Sequence, residues 1–322
     1  MKISPVKKIF RTILLLLGLF ILVGISVAFL RPTSIISKQV AKGKFALPES
    51  RFLNWRGGDV HYVDEGSGFP ILMIHGLAGS HRNFGKIAAR LKGDYRIIRI
   101  DLPGFGLSDL PPVENADYRK MYHEFFAYFL DTMQLDSFYL MGNSMGGWMS
   151  WEIAARYPER VKKLFLFCSA GYDMEAIAEK LSAGMSANST FVEKITAKGI
   201  PSFITRRNIE YCFAEPSRVN EEEVAIANAF TNRETNFHTV LELLRHRKDA
   251  DTALIKTIQC PTLIIWGKKD NIIPYTHASR FHRDIPNNKM IIYEDCGHIP
   301  MVEQVEQLEK DFRAFVADST HS

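Results

Sequence analysis

Cysteine is scarce in this chain. Its four thiols in 322 residues (Cys168, Cys212, Cys260, Cys296) fall at no paired spacing. Neither a C-x-x-C pair nor a Cys/His ligand pattern occurs, so the sequence calls for no disulfide framework and no metal. Acidic residues are missing from the first 48 positions, which hold eight Lys and Arg side chains. The remainder carries 32 basic and 36 acidic residues, so the formal net charge of +4 belongs to the N-terminal segment. That distribution excludes a basic body of the kind that grips nucleic acid. Internal repeats and low-complexity tracts are also absent, which excludes solenoids and propellers.

Charge of either sign is missing from residues 13–30, ILLLLGLFILVGISVAFL, between Arg11 and Arg31. As a helix these 18 residues would extend roughly 27 Å, against a bilayer hydrocarbon core of roughly 30 Å. With no polar face, the run reads as a single-pass membrane anchor rather than a buried helix. The alternative is a cleavable signal peptide, for which Ser26-Val27-Ala28 offers a small-x-small site, but the apolar run is longer than a usual signal core. Four basic residues precede the span and four follow it, so the charge rule for orientation returns a tie. The side of the membrane that the body faces stays open.

The organisation expected from this is an anchor region at 1–30, a polar linker at 31–50, a body in two parts at 51–171 and 251–318, and a short tail at 319–322. RFLNWRGGDVHYVDEG predicts a hairpin about Gly57 and Gly58. PILMIHG, YRIIRIDLPGFG, SFYLMGNS, VKKLFLFCSAG, CPTLIIWG and KMIIYEDCGH are short apolar runs with loop residues at their ends, which suits strands buried on both faces of a parallel sheet. Helical stretches alternate with them (NFGKIAARL, MYHEFFAYFLDTM, MGGWMSWEIAARY, VEQLEKDFRAFV), as in a doubly wound α/β domain. Residues 172–250 break this rhythm. They contain no strand-like run and are too long for a loop, so they predict a helical cap inserted after the fourth buried strand.

Chemistry in such sheets collects at the carboxyl ends of the strands. GNSMGG places Ser144 between Gly142 and Gly146 in the spelling G-x-S-x-G, a tight strand-to-helix turn that lifts a hydroxyl into a pocket. A serine hydroxyl is a weak nucleophile and needs a base held by a third group. Asp270 in WGKKDNIIP and His298 in EDCGHIPMVE supply them, each just beyond an apolar run and in the chain order Ser, Asp, His. An oxyanion needs two fixed N–H donors. The backbone of Met145, directly after the serine, is one; Leu77, in the loop after ILMIHG, is the other. His75 is not needed as a second base. Asp101 in DLPGFGLSD is expected to hold the turn around Gly104 and Gly106, and Asp173 is a rival for the acid.

IHGLAGS, DLPGFGLSD, GNSMGG, WGKKDNIIP and GHIPMVE together resemble an α/β-hydrolase, from about Leu53 to Val316. The similarity is strongest to membrane-anchored monoacylglycerol-lipase-like enzymes and small bacterial lipases, including cold-adapted ones. The chain departs from the lipases that carry HGGG, since one glycine follows His75. The resemblance implies an α/β-hydrolase fold, a mostly parallel sheet flanked by helices. It implies a membrane-associated serine ester hydrolase that cleaves acylglycerols or related esters through an acyl-enzyme, with Ser144 as nucleophile, Asp270 as acid, His298 as base, and Leu77 and Met145 as oxyanion donors. No cofactor is implied. A bacterial inner membrane is the expected location and a lipid or ester the expected partner.

Carbon–carbon hydrolases of ring-fission diketones also carry GNSMGG and are the alternative. They are usually soluble and tend to have an aromatic residue after the histidine, where Ile299 stands here. Epoxide hydrolases and haloalkane dehalogenases need Asp at the place of Ser144. A catalytically dead binding scaffold would not keep nucleophile, acid and base together.

Overall fold

A computed structural model describes residues 34–173, 197–234, 236–246 and 250–318. The run 13–30 and the tail 319–322 lie outside the described residues. Among the described residues no helix is long and apolar enough to cross a membrane.

Eight strands make one sheet: β1 (Ser50–Trp55), β2 (Gly58–Glu65), β3 (Phe69–Ile74), β4 (Tyr95–Ile100), β5 (Phe138–Asn143), β6 (Val161–Phe167), β7 (Thr262–Gly267) and β8 (Asn288–Tyr293). Their spatial order is β1-β2-β4-β3-β5-β6-β7-β8. β1 and β2 form the hairpin, closed by Arg56 and Gly57 at φ of 48° and 80°. Positive φ at both central residues is what a two-residue turn needs to follow the twist of the strands. From β4 to β8 every pairing is parallel. The central strands are apolar on both faces because helices cover both. On β7, all six residues of TLIIWG are buried.

Two apolar layers result. On one face lie α3 (Tyr118–Thr132) and α4 (Met145–Arg156), with Phe125, Phe129 and Trp151 fully buried. On the other lie α2 (Gly85–Leu91) and α10 (Val305–Ala317), packing Leu91 and Phe312 against Ile71 and Phe165. α8 (Thr276–Asp284) and the short α9 (Pro300–Glu303) complete the body.

The described part of 172–250 follows the fourth parallel strand, β6, and is helical: α5 (Ser202–Cys212), α6 (Glu221–Thr231) and α7 (Asn236–Arg245). Residues 34–50, the described part of the polar linker expected at 31–50, carry structure of their own. Residues Lys38–Phe45 form helix α1, capped by the Ser37 hydroxyl, which accepts from the Val40 amide. Its composition is polar, but Ala41 and Phe45 stand four apart and make one apolar face. That face packs on Leu107 and Phe230. Ahead of it the Ser34 amide donates to Lys198 O (2.9 Å) and the Ile36 amide to Asn232 O (3.0 Å). The segment is therefore laced to the cap.

Candidate active site

β5 ends at Asn143 and α4 begins at Met145, so the chain reverses at Ser144 alone. It does so at φ 55°, ψ −120°, a backbone conformation of the kind that concentrates at functional sites. The flanking glycines permit the turn. A Cβ on Gly146 would lie 2.1 Å from Ile74 O and 2.5 Å from His75 O, and one on Gly142 would lie 2.2 Å from the Ser150 Oγ. The turn is then tied down. Ser144 N donates to Phe167 O (3.1 Å), and Ser144 O accepts from Trp148 N and Ala170 N (3.0 Å each).

Asp270 and His298 sit beyond β7 and β8. His298 Nδ1 donates to Asp270 Oδ2 at 2.8 Å, and their side chains are 5% and 0% exposed. The other Asp270 oxygen accepts from the amides of Ile272 (2.8 Å) and Ile273 (3.0 Å), which fixes the carboxylate. Since Nδ1 carries the proton that bonds Asp270, Nε2 of a neutral ring is left as an acceptor. His298 and Ser144 line the same cavity, of about 1330 Å³. The Ser144 hydroxyl forms no hydrogen bond among the described residues. The structure thus brings Asp270 and His298 together as a bonded pair, and Ser144 lines the same cavity as His298.

Leu77 and Met145 line that cavity as well. Neither amide donates a hydrogen bond among the described residues, which leaves both available to an oxygen in the cavity. His75 is fully buried and shapes the loop that presents Leu77. Its Nε2 accepts from Leu102 N (3.0 Å) and its Nδ1 donates to Gly76 O (2.7 Å). Burial pushes its pKa down to about 4, so the ring is a neutral brace. Asp101 is fully buried and accepts from the Leu107 amide (2.9 Å), from His81 N (2.6 Å) and from the Nδ1 atoms of His61 (2.8 Å) and His81 (2.9 Å). It holds the turn around Gly104 and Gly106. Asp173 pairs with Arg280, and the carboxylate bonded to His298 is that of Asp270.

Two residues give no signal in the sequence. The Asn143 amide donates to Phe167 O (3.0 Å) and to His298 O (2.9 Å), so one side chain joins the serine turn to the histidine loop. The Glu303 carboxylate accepts from Gly297 N (2.9 Å) and from Ala214 N (2.8 Å), and burial pushes its pKa up. It ties the histidine loop to the cap, as does His298 N donating to Cys212 O at 2.7 Å. Asn and Glu are common residues without a distinctive spacing, and only the fold brings these contacts together.

Among the described residues two donor sets lie close enough to surround a cation: His61, His81 and Asp101, and Cys168, Asp270 and His298. In the first, both Nδ1 atoms already donate to Asp101, so a cation would have to displace two buried hydrogen bonds. In the second, burial pushes the Cys168 thiol well up, which holds it protonated when a metal would require the thiolate.

A tight turn carrying a serine, an acid–histidine pair and a cavity between them, all at the carboxyl edge of a mostly parallel sheet, define a hydrolase. The chain belongs to the alpha/beta hydrolase fold family, which matches residues 70–305. It is 31% identical to Lipase 1 of Psychrobacter immobilis over 278 residues, 83% of this chain and 84% of the lipase. It is 28% identical to a 2-hydroxymuconate semialdehyde hydrolase of Pseudomonas over 268 residues, 80% of this chain and 89% of that enzyme. A crystal structure of a meta-cleavage product hydrolase from Pseudomonas fluorescens superimposes with a TM-score of 0.69 at 24% identity, over 83% of this chain and 97% of that one. That last likeness is one of fold.

Proposed function

We propose that this chain is a membrane-associated serine ester hydrolase that cleaves acylglycerols or related carboxylic esters through an acyl-enzyme at Ser144. The observation that carries the reading is that His298, bonded to Asp270, lines together with Ser144 a large cavity walled by apolar side chains of the cap. Ile204, Ile209, Phe213, Phe230, Val240 and Leu243 are among them.

In this reading His298 Nε2 takes the Ser144 proton as Oγ attacks the ester carbonyl, while Asp270 keeps the proton of the ring on Nδ1 and stabilises the imidazolium. The amides of Leu77 and Met145 receive the oxyanion. The imidazolium then protonates the leaving alcohol, and a water activated by the same ring releases the acid.

The uncharged run at residues 13–30 supports tethering to a membrane, with a bacterial inner membrane as the location. The cavity supports an acyl chain, because burying each methylene is favourable by about 0.8 kcal/mol. A p-nitrophenyl ester series measured on the detergent-solubilised protein tests this. kcat/KM is expected to rise from acetyl to at least octanoyl, and a steady fall from acetyl would remove the lipid assignment. The relative from Pseudomonas supports a second reading, hydrolysis of a carbon–carbon bond in a dienoic diketone. Turnover of such a diketone with no turnover of any ester would favour it.

A further inference from the structure

Among the described residues, seven large apolar side chains are exposed, and five of them lie on two stretches: Ile35 and Val40 at the N-terminal lead-in, and Phe203, Ile204 and Tyr211 on α5. Phe203 is the most exposed, at 69%. At 100° per residue, Phe203, Arg207, Tyr211, Ile204 and Asn208 fall on one arc of the helix, and all five are exposed. Thr205 and Ile209 lie on the opposite side, where Thr205 is buried and Ile209 lines the cavity. Arg207 has no ion-pair partner among the described residues, whereas Arg206 beside it pairs with Glu210 and Glu221. No acid stands on the exposed arc. An apolar face that includes an unneutralised guanidinium matches an interface of anionic headgroups over acyl chains.

The way the chain enters points to the same occupant. The uncharged run ends at Leu30, and Ser34 is bonded to Lys198 O, just ahead of the start of α5 at Ser202. Four residues cannot reach farther than roughly 14 Å when fully extended. Wherever the run inserts, the root of α5 is held close by. Ile204, Arg207 and Tyr211 also line the cavity that contains Ser144.

We propose that α5 lies on the bilayer surface, Phe203 inserted and Arg207 among the headgroups, so that the cavity opens toward the lipid and substrate enters without crossing water. This deepens the proposed function and rests on its membrane tether.

The test uses the full chain in vesicles of phosphatidylethanolamine and phosphatidylglycerol containing acyl-brominated lipid. The indole introduced by Phe203→Trp is expected to be quenched above the signal of the native tryptophans. One introduced by Tyr128→Trp, exposed on α3, is expected not to be. In parallel, Phe203→Asp is expected to lower kcat/KM on vesicle-embedded monoacylglycerol by about fivefold or more and to leave hydrolysis of dissolved p-nitrophenyl butyrate unchanged. If the chain sediments with vesicles and cleaves the dissolved ester, yet the Phe203→Trp indole is unquenched or Phe203→Asp slows both substrates alike, the docking is overturned and the proposed function stands. If the full chain stays in the supernatant, the tether fails and the docking with it.

Discussion

The edge of the sheet and the cap above it are built under different constraints. At the edge, backbone meets backbone. Ser144 is bonded on both its amide and its carbonyl, Asn143 joins two loops, and a single methyl on Gly146 would overlap two carbonyl oxygens. In the cap, α5 turns one side to the cavity and leaves Phe203 in the open. The two regions meet through specific ties: His298 N on Cys212 O, the Glu303 carboxylate on Ala214 N, Arg233 on Ser108 O and Asp109, and Asn236 on Gly106 O. Such a division fits an enzyme whose chemistry needs fixed geometry and whose selectivity is set by a separate apolar wall. If it holds, changes at the edge should affect turnover or folding for every substrate, and changes in the cap should discriminate among substrates.

The largest effect belongs to Ser144, the proposed nucleophile. Ser144→Ala should lower kcat on any ester by roughly four orders of magnitude or more, and Asp270→Asn by roughly three to four. Because the Ser144 hydroxyl has no hydrogen-bond partner among the described residues, Ser144→Ala should leave the melting temperature within about 2 °C of wild type. Burst kinetics and calorimetry on the same preparations check both. Wild-type turnover by Ser144→Ala would end the serine-hydrolase reading and the division with it.

Next comes the backbone itself. Gly146→Ala must push apart Ile74 O and His75 O, neither of which is a flexible side-chain end. We expect a loss of about 3 kcal/mol or more, or no folded protein. Gly43→Ala is the matched control. Gly43 lies inside α1, and its added methyl would meet nothing within 4 Å, so this change should be neutral or stabilise by roughly 0.5–1 kcal/mol. Equal effects from the two alanines in urea titrations would show that the elbow is no more constrained than the surface.

The same contrast explains what could be read from the sequence. Strands buried on both faces announce themselves as unbroken apolar runs, and GNSMGG, WGKKDNIIP and GHIPMVE stand at strand ends where little but turn chemistry competes for the reading. α1 is different. KQVAKGKF has a polar composition, and its apolar face is only Ala41 and Phe45, too small a signal to separate from a linker until Phe230 is seen against it. In the cap, period predicts helices, as in EEEVAIANAF and FHTVLELLRH, but not which side meets the core. Phe203 and Phe213 are the same residue type ten positions apart, one largely exposed and one buried. Asn143 and Glu303 are illegible for a further reason: the contacts of Asn143 with Phe167 and His298, and of Glu303 with Ala214, join residues far apart in sequence, and hydrogen bonding leaves no periodic trace.

A smaller effect concerns acid. His75 braces the strand exit as a neutral ring, with its pKa lowered from 6.5 to about 4 by full burial. The unfolded chain therefore takes up a proton at this position before the folded one does. The stability is whole above about pH 6.5 and is lost as pH falls toward 4, by about 3 kcal/mol for this one group. His75→Asn cannot titrate there. It should be less stable at pH 7, where it loses hydrogen bonds, yet show a shallower decline between pH 6.5 and 4. Parallel declines in the two proteins would place the acid sensitivity elsewhere, with the buried His81 as the next group to test, since burial lowers its pKa too.

The smallest effect is the one that tests the cap directly. Ile209 projects from α5 into the cavity and touches the apolar layer beneath, so Ile209→Ala removes wall without touching Ser144, Asp270 or His298. A long acyl chain would lose contact worth about one methylene, near 0.8 kcal/mol, or roughly fourfold in kcat/KM on an octanoyl ester. An acetyl ester, too short to reach the cap, should keep its rate within about twofold, because the transition-state contacts at the sheet edge are unchanged. A uniform loss across chain lengths would mean that α5 acts on the histidine loop through Cys212 rather than on the substrate, and the two regions would have to be treated as one device.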